Sequence, residues 1–189
     1  MSMPVSWSSK KDCRSFFKSL CAQEFAQGLV QQQQQLDAHL RDFMKSQTGV
    51  WGAYRALPEE AQVEEVFHIL HLTWAFPKMR EGLLEFYETR DFDLGPYGVR
   101  EPKPGSFQRS LAEMSGLLVP GLVFNKNGNR LGKGKGFYDK TLESFPGVKV
   151  GIGFDFQITA DPLPTEPHDV KMDFLITESG LVDCKKHQE

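Results

Sequence analysis

Between Val119 and Lys140 the chain reads VPGLVFNKNGNRLGKGKGFYDK, in which Gly132, Gly134 and Gly136 alternate with Lys133 and Lys135. Glycines at that spacing let backbone N–H groups come close to a ligand while the lysines converge on it, which is the chemistry of an anion site and of phosphate first. Five basic residues, Lys126, Arg130, Lys133, Lys135 and Lys140, accompany a single acid, Asp139, in the stretch 125–140. A helix starting near Phe137 would add its N-terminal dipole to the same site. No Ser or Thr follows Lys133 or Lys135, so the loop is not a Walker A motif, and its glycines do not give the G-x-G-x-x-G dinucleotide fingerprint. On spacing alone, a generic phosphate loop and a flexible basic hairpin tip both stay open.

Magnesium prefers carboxylate and water oxygens and bridges to nucleotide phosphates, so Asp139 is the nearest candidate ligand, with Asp169 and Asp173 further along. An Asp in a first helical turn serves equally well as a dipole partner. None of the five histidines makes a pair at zinc-enzyme spacing, and no G-x-S-x-G elbow is present.

The whole chain does not share the basic character of this loop. With 22 Lys and Arg against 25 Asp and Glu, the net charge is −3, which gives no global pull toward nucleic acid or an anionic membrane. Three cysteines, Cys13, Cys21 and Cys184, show neither C-x-x-C spacing nor a disulfide framework. The N-terminus MSMPVSWSSKKD has no apolar targeting region, and no stretch approaches a membrane span. A cytoplasmic protein and a monomer are expected. The length of 189 residues fits one domain, 1–189.

The elements that position the loop follow from local pattern. Ser9 and Asp12 resemble a capping box, predicting a helix from Lys10 with Phe16, Phe17, Leu20, Cys21 and Phe25 inward. Lys10 and Arg14, four apart, share one face near the helix N-terminus, where basic residues are not locally favoured. The five glutamines Gln31–Gln35 read as a polar helix face, with Gly28 as a break before them. Strands are predicted over 50–56, 72–76, 83–87, 116–124, 148–154 and 174–177, and helices over 58–71, 107–114 and 137–145. The span 91–106, rich in Gly and Pro, reads as loop. Alternation of this kind predicts an α/β fold, a three-layer αβα sandwich around a mixed, largely parallel central sheet.

Pro120 to Asp139 resembles the signature P-G-L-x-F-D-x-x-G-x-R-L-G-x-G-x-G-Y-Y-D of the 5-formyltetrahydrofolate cyclo-ligase (methenyltetrahydrofolate synthetase) family, with Asn125 for Asp and Phe137 for the first Tyr. Lys10 to Arg14 is similar to the family's K-x-x-L-R, with Cys13 in the leucine position. Glu60 opens a segment similar to E-x-x-T-x-x-I, with Val63 for Thr. Gly98 to Pro102 resembles G-I-x-E-P, and Pro164 to Asp173 resembles P-x-x-x-x-D-x-x-V-D.

The resemblance implies an enzyme that uses ATP and Mg2+ to close 5-formyltetrahydrofolate into 5,10-methenyltetrahydrofolate. It implies catalytic charge neutralisation by Lys10, Arg14, Arg130 and Lys135. ATP would be contacted by the N-terminal run Lys10, Lys11, Asp12, Cys13 and Arg14. It would also be contacted by Arg130, Leu131, Gly132, Lys133, Gly134, Lys135, Gly136, Phe137 and Tyr138. Folate would be contacted by Arg55, Glu60 and the segment Lys133, Gly134, Lys135, Gly136 and Phe137, with Tyr138 and Trp51 adding flat apolar contacts. Asp139 and Asp169 would hold the metal. Two other readings compete: a phosphate-ligand or RNA-binding module built on the basic loop, and a family member with lost or altered activity, for which Val63 and Asn125 are the hints.

Overall fold

A computed structural model describes residues 7–187. The reading that residues 1–12 carry no targeting segment falls partly on residues outside this range. Three helices are present among the described residues, α1 (Lys10–Ala26), α2 (Val30–Lys45) and α3 (Phe137–Glu143). The strands in the first half are β1 (Gly49–Gly52), β2 (Leu72–Arg80), β3 (Leu83–Glu88), β4 (Phe92–Leu94), β5 (Arg100–Pro102) and β6 (Phe107–Arg109). Those in the second half are β7 (Met114–Pro120), β8 (Val123–Asn125), β9 (Arg130–Leu131), β10 (Val148–Ile152), β11 (Ile158–Thr159), β12 (Phe174–Thr177) and β13 (Gly180–Asp183).

Eight strands form the central sheet in the order β13-β12-β10-β7-β1-β2-β3-β6. Its inner five, β12 to β2, run parallel; β13 pairs antiparallel with β12, β3 antiparallel with β2, and β6 antiparallel with β3. The mixed, largely parallel α/β sheet expected from the sequence is therefore present. Side chains alternate across it with the period of two that a strand imposes. Leu118, Val150, Ile152 and Ile176 pack with Leu36, Leu40 and Met44 of α2 on one face, while Leu117, Val119 and Leu175 pack with Leu142 and Phe145 on the other. Helices thus cover both faces. A smaller sheet, β11-β8-β9, carries α1, whose Cys13, Phe17 and Cys21 pack on Leu122, Val123 and Leu131.

The cap of α1 is where the sequence places it: Ser9 Oγ accepts the Asp12 N–H at 3.2 Å. Gly28, at φ 78°, ends that segment before α2. Other expectations are corrected. The predicted helix over 58–71 is only a 3-10 turn, Glu64–His68, because side chains consume the backbone groups that a helix needs. Tyr54 donates to the Ala61 carbonyl, the Leu57 N–H donates to Glu60, and the Gln62 N–H donates to Gln33. Over 107–114 the predicted helix is instead β6, paired with β3, and a 3-10 turn at Leu111–Glu113. The strand predicted through 116–124 stops at Pro120, and the chain passes through Gly121 and Leu122 into the second sheet. The glycine- and proline-rich span 91–106 holds the hairpin β4-β5. Edge strand β13 has no strong sequence signal, since Leu181 faces solvent and the strand is four residues long.

Candidate active site

In the parallel part of the sheet, the chain runs from β1 outward to β2 in one direction and from β7 outward to β10 and β12 in the other. That reversal between β1 and β7 opens a crevice at the carboxyl ends of the strands, where open α/β sheets bind ligands. A cavity of about 700 Å³ lies there, lined by Tyr54 and Arg55 after β1, Pro77 and Met79 of β2, and Gly121 and Leu122 after β7. The loop from Gly132 to Gly136, with Phe137, Tyr138 and Asp139 of α3, lines the same cavity.

The glycines are needed for this geometry. Gly134 and Gly136 sit at φ 98° and 73°, in the left-handed region that a side chain disfavours. Arg130, just before the loop, ties the end of β7 to α3 after it: its Nη1 donates to the Pro120 carbonyl at 3.1 Å and its Nη2 to Asp139 Oδ1 at 2.5 Å. Its guanidinium also lies 5.6 Å from the Tyr138 ring centroid. From below, Arg14 Nε donates to the Gly132 carbonyl at 3.1 Å. The shared face of Lys10 and Arg14 is therefore turned toward the loop and the C-terminal segment. Lys10 Nζ donates to both oxygens of Asp169, at 2.9 and 2.7 Å, and to Glu166 at 2.7 Å. Burial works to lower the pKa of Lys10, but the hydrogen bonds and charges of Asp169 and Glu166 outweigh it and raise the value.

Across the cavity mouth, Lys133 Nζ bridges Glu59 at 2.8 Å and Glu60 at 2.9 Å. Burial opposes the charged ammonium, yet the two carboxylates raise the pKa of Lys133. Tyr138 is pushed well up by burial first and by the negative charge of Glu60 second, so its phenol stays protonated and can donate. Arg55 spreads its guanidinium 5.0 Å from the Phe92 centroid and 5.6 Å from that of Phe67, with Glu64 at 3.7 Å.

The structure thus gathers Arg55, Glu60, Arg130, Gly132, Lys133, Gly134, Lys135, Gly136, Phe137, Tyr138 and Asp139 around one cavity. Lys10, Arg14 and Asp169 stand behind the loop rather than in that lining. Cys13 and Leu131 are buried in the apolar cluster under α1, leaving only their backbone to a ligand. The carboxylate of Asp12 is held by the Ser8 and Ser9 hydroxyls, and Lys11 is exposed. Trp51 does not supply a flat contact to this cavity: it is 1% exposed, edge-on to Phe43, with its Nε1 donating to the Thr48 carbonyl. A large indole on an inner strand is claimed by the core.

Sequence reasoning missed several lining residues, among them Tyr54, Pro77 and Met79, which only their place at the ends of β1 and β2 reveals. Val99 and Glu101, in the segment resembling G-I-x-E-P, carried no assigned role, and β5 with the turn before it places them in the lining. Two departures from the family signature lie away from the cavity. Val63 is fully buried in the core. Asn125 is buried, and its Oδ1 accepts the Asn129 N–H at 3.0 Å, a turn contact that either Asn or Asp can make. Phe137 alone of the three lines the cavity.

Taken together, the sheet reversal, the glycine-lysine loop and the cavity of mixed charge define an α/β protein with its candidate site at the strand ends. The model of the 5-formyltetrahydrofolate cyclo-ligase family matches residues 8–178, and the chain belongs to that family. It is 37% identical over 117 residues to a 5-formyltetrahydrofolate cyclo-ligase of Mycolicibacterium smegmatis, covering 60% of this chain and 55% of that one. To a mouse protein of the same name it is 32% identical over 93 residues, covering 44% and 45%. The chain spans about half the length of the curated relatives it matches. Its fold is similar to the NMR structure of an Aquifex aeolicus 5,10-methenyltetrahydrofolate synthetase, with a TM-score of 0.76, 23% identity, and coverage of 91% and 93%.

Proposed function

We propose that the protein catalyses the ATP- and Mg2+-dependent cyclisation of 5-formyltetrahydrofolate to 5,10-methenyltetrahydrofolate, releasing ADP and phosphate. One observation carries the reading: a single cavity joins the Lys133–Lys135 loop to Arg55 and Glu60, so three segments distant in sequence meet at one place. Its volume of about 700 Å³ lies within the usual range for small-molecule sites.

The formyl oxygen is a weak nucleophile and a worse leaving group. In the proposed course it attacks the γ-phosphorus, ADP departs, and the formyl carbon then carries a phosphate ester. Nitrogen 10 attacks that carbon, the carbon–oxygen bond breaks, phosphate leaves and nitrogen 10 gives up its proton. Such chemistry asks for positioning and charge neutralisation more than for a covalent protein group. Lys10, Arg14, Arg130 and Lys135 neutralise the triphosphate, and the loop backbone orients it. Arg14 already braces that backbone through Gly132. Glu60 accepts pterin N–H groups, and Phe137 and Tyr138 flank the ring.

Magnesium suits hard carboxylate oxygens, and Asp139 presents one at the cavity wall, so the donor chemistry fits there. Asp139 and Asp169 are the proposed ligands, and the ion would supply neutralisation of phosphate charge. Asp169 is held by Lys10, so the same two residues serve either to pair with each other or to meet the nucleotide. A reducing, cytoplasmic setting is proposed, supported by three unpaired buried thiols. No helix among the described residues is long and apolar enough to cross a membrane. We further propose a monomer without a nucleic-acid partner. Isotope transfer tests the activated intermediate: with 18O in the formyl group, the released phosphate should carry the label. Unlabelled phosphate alongside full turnover would exclude that course.

A further inference from the structure

The cavity contains a nearly buried acid to which the course above gives no role. Glu101 of β5 lines it together with Pro77, Met79, Leu84 and Val99, and is only 7% exposed. Its seat is built. β2 pairs with β1 only as far as Ala75, so the Met79 N–H lies beyond that ladder, and Glu101 accepts it through Oε1 at 3.2 Å. On the other side, Gly95 presses its α-carbon to the carboxyl group: a Cβ there would come within 2.6 Å of the Glu101 carboxyl carbon and 2.8 Å of Oε2. The turn that brings Gly95 into place is closed by its own N–H donating to the Val99 carbonyl at 2.8 Å. Among the described residues no cation pairs with Glu101.

A nearly buried carboxylate without an ion-pair partner is costly unless N–H donors meet it. Holding one backbone N–H would need only a neutral acceptor, and a carboxylate has room for several donors. A phosphate would be repelled by it, so the ligand group it fits is a neutral N–H edge. A tetrahydropterin carries N–H donors at ring positions 3 and 8 and on its exocyclic amine, and because positions 3 and 8 lie on different edges one carboxylate does not reach them all. We infer that Glu101 is a second pterin-recognising acid, accepting ring N–H groups that Glu60 does not reach. This rests on the folate reading of the cavity.

Glu101→Gln tests it, because the amide keeps an oxygen for the Met79 N–H and removes the charge. Binding of 5-formyltetrahydrofolate, measured by titration calorimetry, should weaken about 10- to 100-fold, the span expected for one charged hydrogen bond. ATP affinity and the melting temperature should stay at the wild-type values. Gly95→Ala, whose methyl group displaces the carboxyl while leaving its charge, is the second variant and should weaken folate binding in the same sense. Either variant, folded, binding 5-formyltetrahydrofolate as tightly as wild type overturns the inference and leaves the folate reading intact. Wild type failing to bind 5-formyltetrahydrofolate overturns both.

Discussion

Lys133 Nζ lies 2.9 Å from Glu60 Oε1, joining the phosphate-type loop to the acid proposed for the pterin. The same ammonium holds Glu59 at 2.8 Å. An ammonium has three N–H donors, and Lys133 directs its charge at both carboxylates, so the contact ties the two halves of the cavity into one electrostatic unit.

A pH dependence follows from that contact. Burial acts to raise the Glu59 carboxyl and to lower the Lys133 ammonium, but the ion pair prevails, leaving Glu59 below its ordinary 4.5 and Lys133 above its ordinary 10.5. A lowered carboxyl adds stability that is full above its unfolded pKa and is lost as pH falls through the folded value. A raised ammonium adds stability that is full below its unfolded pKa and is lost as pH rises through the folded value. The melting-temperature difference between wild type and Lys133→Met should therefore be steady through neutral pH and shrink on the acid side of 4.5 and the alkaline side of 10.5. A difference that ignores pH would remove the pair from stability.

Lys135 is exposed on the loop and has no place in the core clusters. Lys135→Ala should lower kcat/KM by about 100- to 1,000-fold, the scale of losing one charge-stabilising group, while leaving the melting temperature almost unmoved. Activity near wild type would take Lys135 out of the site.

At Gly116 a built Cβ meets the Trp51 ring at 2.4 Å, across the parallel pair of β7 and β1. Gly116→Ala should cost about 1–3 kcal/mol by overpacking, read by chemical denaturation. An unchanged midpoint would mean that the indole has space to move.

The loop, the first helix and the sheet class were legible because each rests on local chemistry: glycines between lysines, a serine cap, apolar strands between breakers. Tyr54 and Met79 were not, since their types carry no signal and only the ends of β1 and β2 bring them together, while Glu101 stood in a segment resembling the family's G-I-x-E-P without a role until β5 placed it in the cavity. Trp51 misled for the complementary reason: its ring could stack on a ligand, but its strand is central and the core takes it. The segment 58–71 has helical spacing, yet its backbone is held by the side chains of Tyr54, Glu60 and Gln33, contacts that no periodicity shows.

Burial raises the thiols of Cys13 and Cys21 to about 11 and that of Cys184 to about 12. All three are buried and unpaired. The thiolate is the reactive form, so native protein at mildly alkaline pH should alkylate with iodoacetamide far more slowly than denatured protein. Mass spectrometry counts the adducts. Rapid labelling of any of the three in the native state would contradict this burial.

The central claim is that one cavity brings ATP and a reduced folate together for cyclisation. Purified protein incubated with 5-formyltetrahydrofolate, ATP and Mg2+ should generate 5,10-methenyltetrahydrofolate, followed by its near-ultraviolet absorbance, and should stop generating it when the nucleotide is omitted. Absence of nucleotide-dependent product at every enzyme concentration tried would contradict the account.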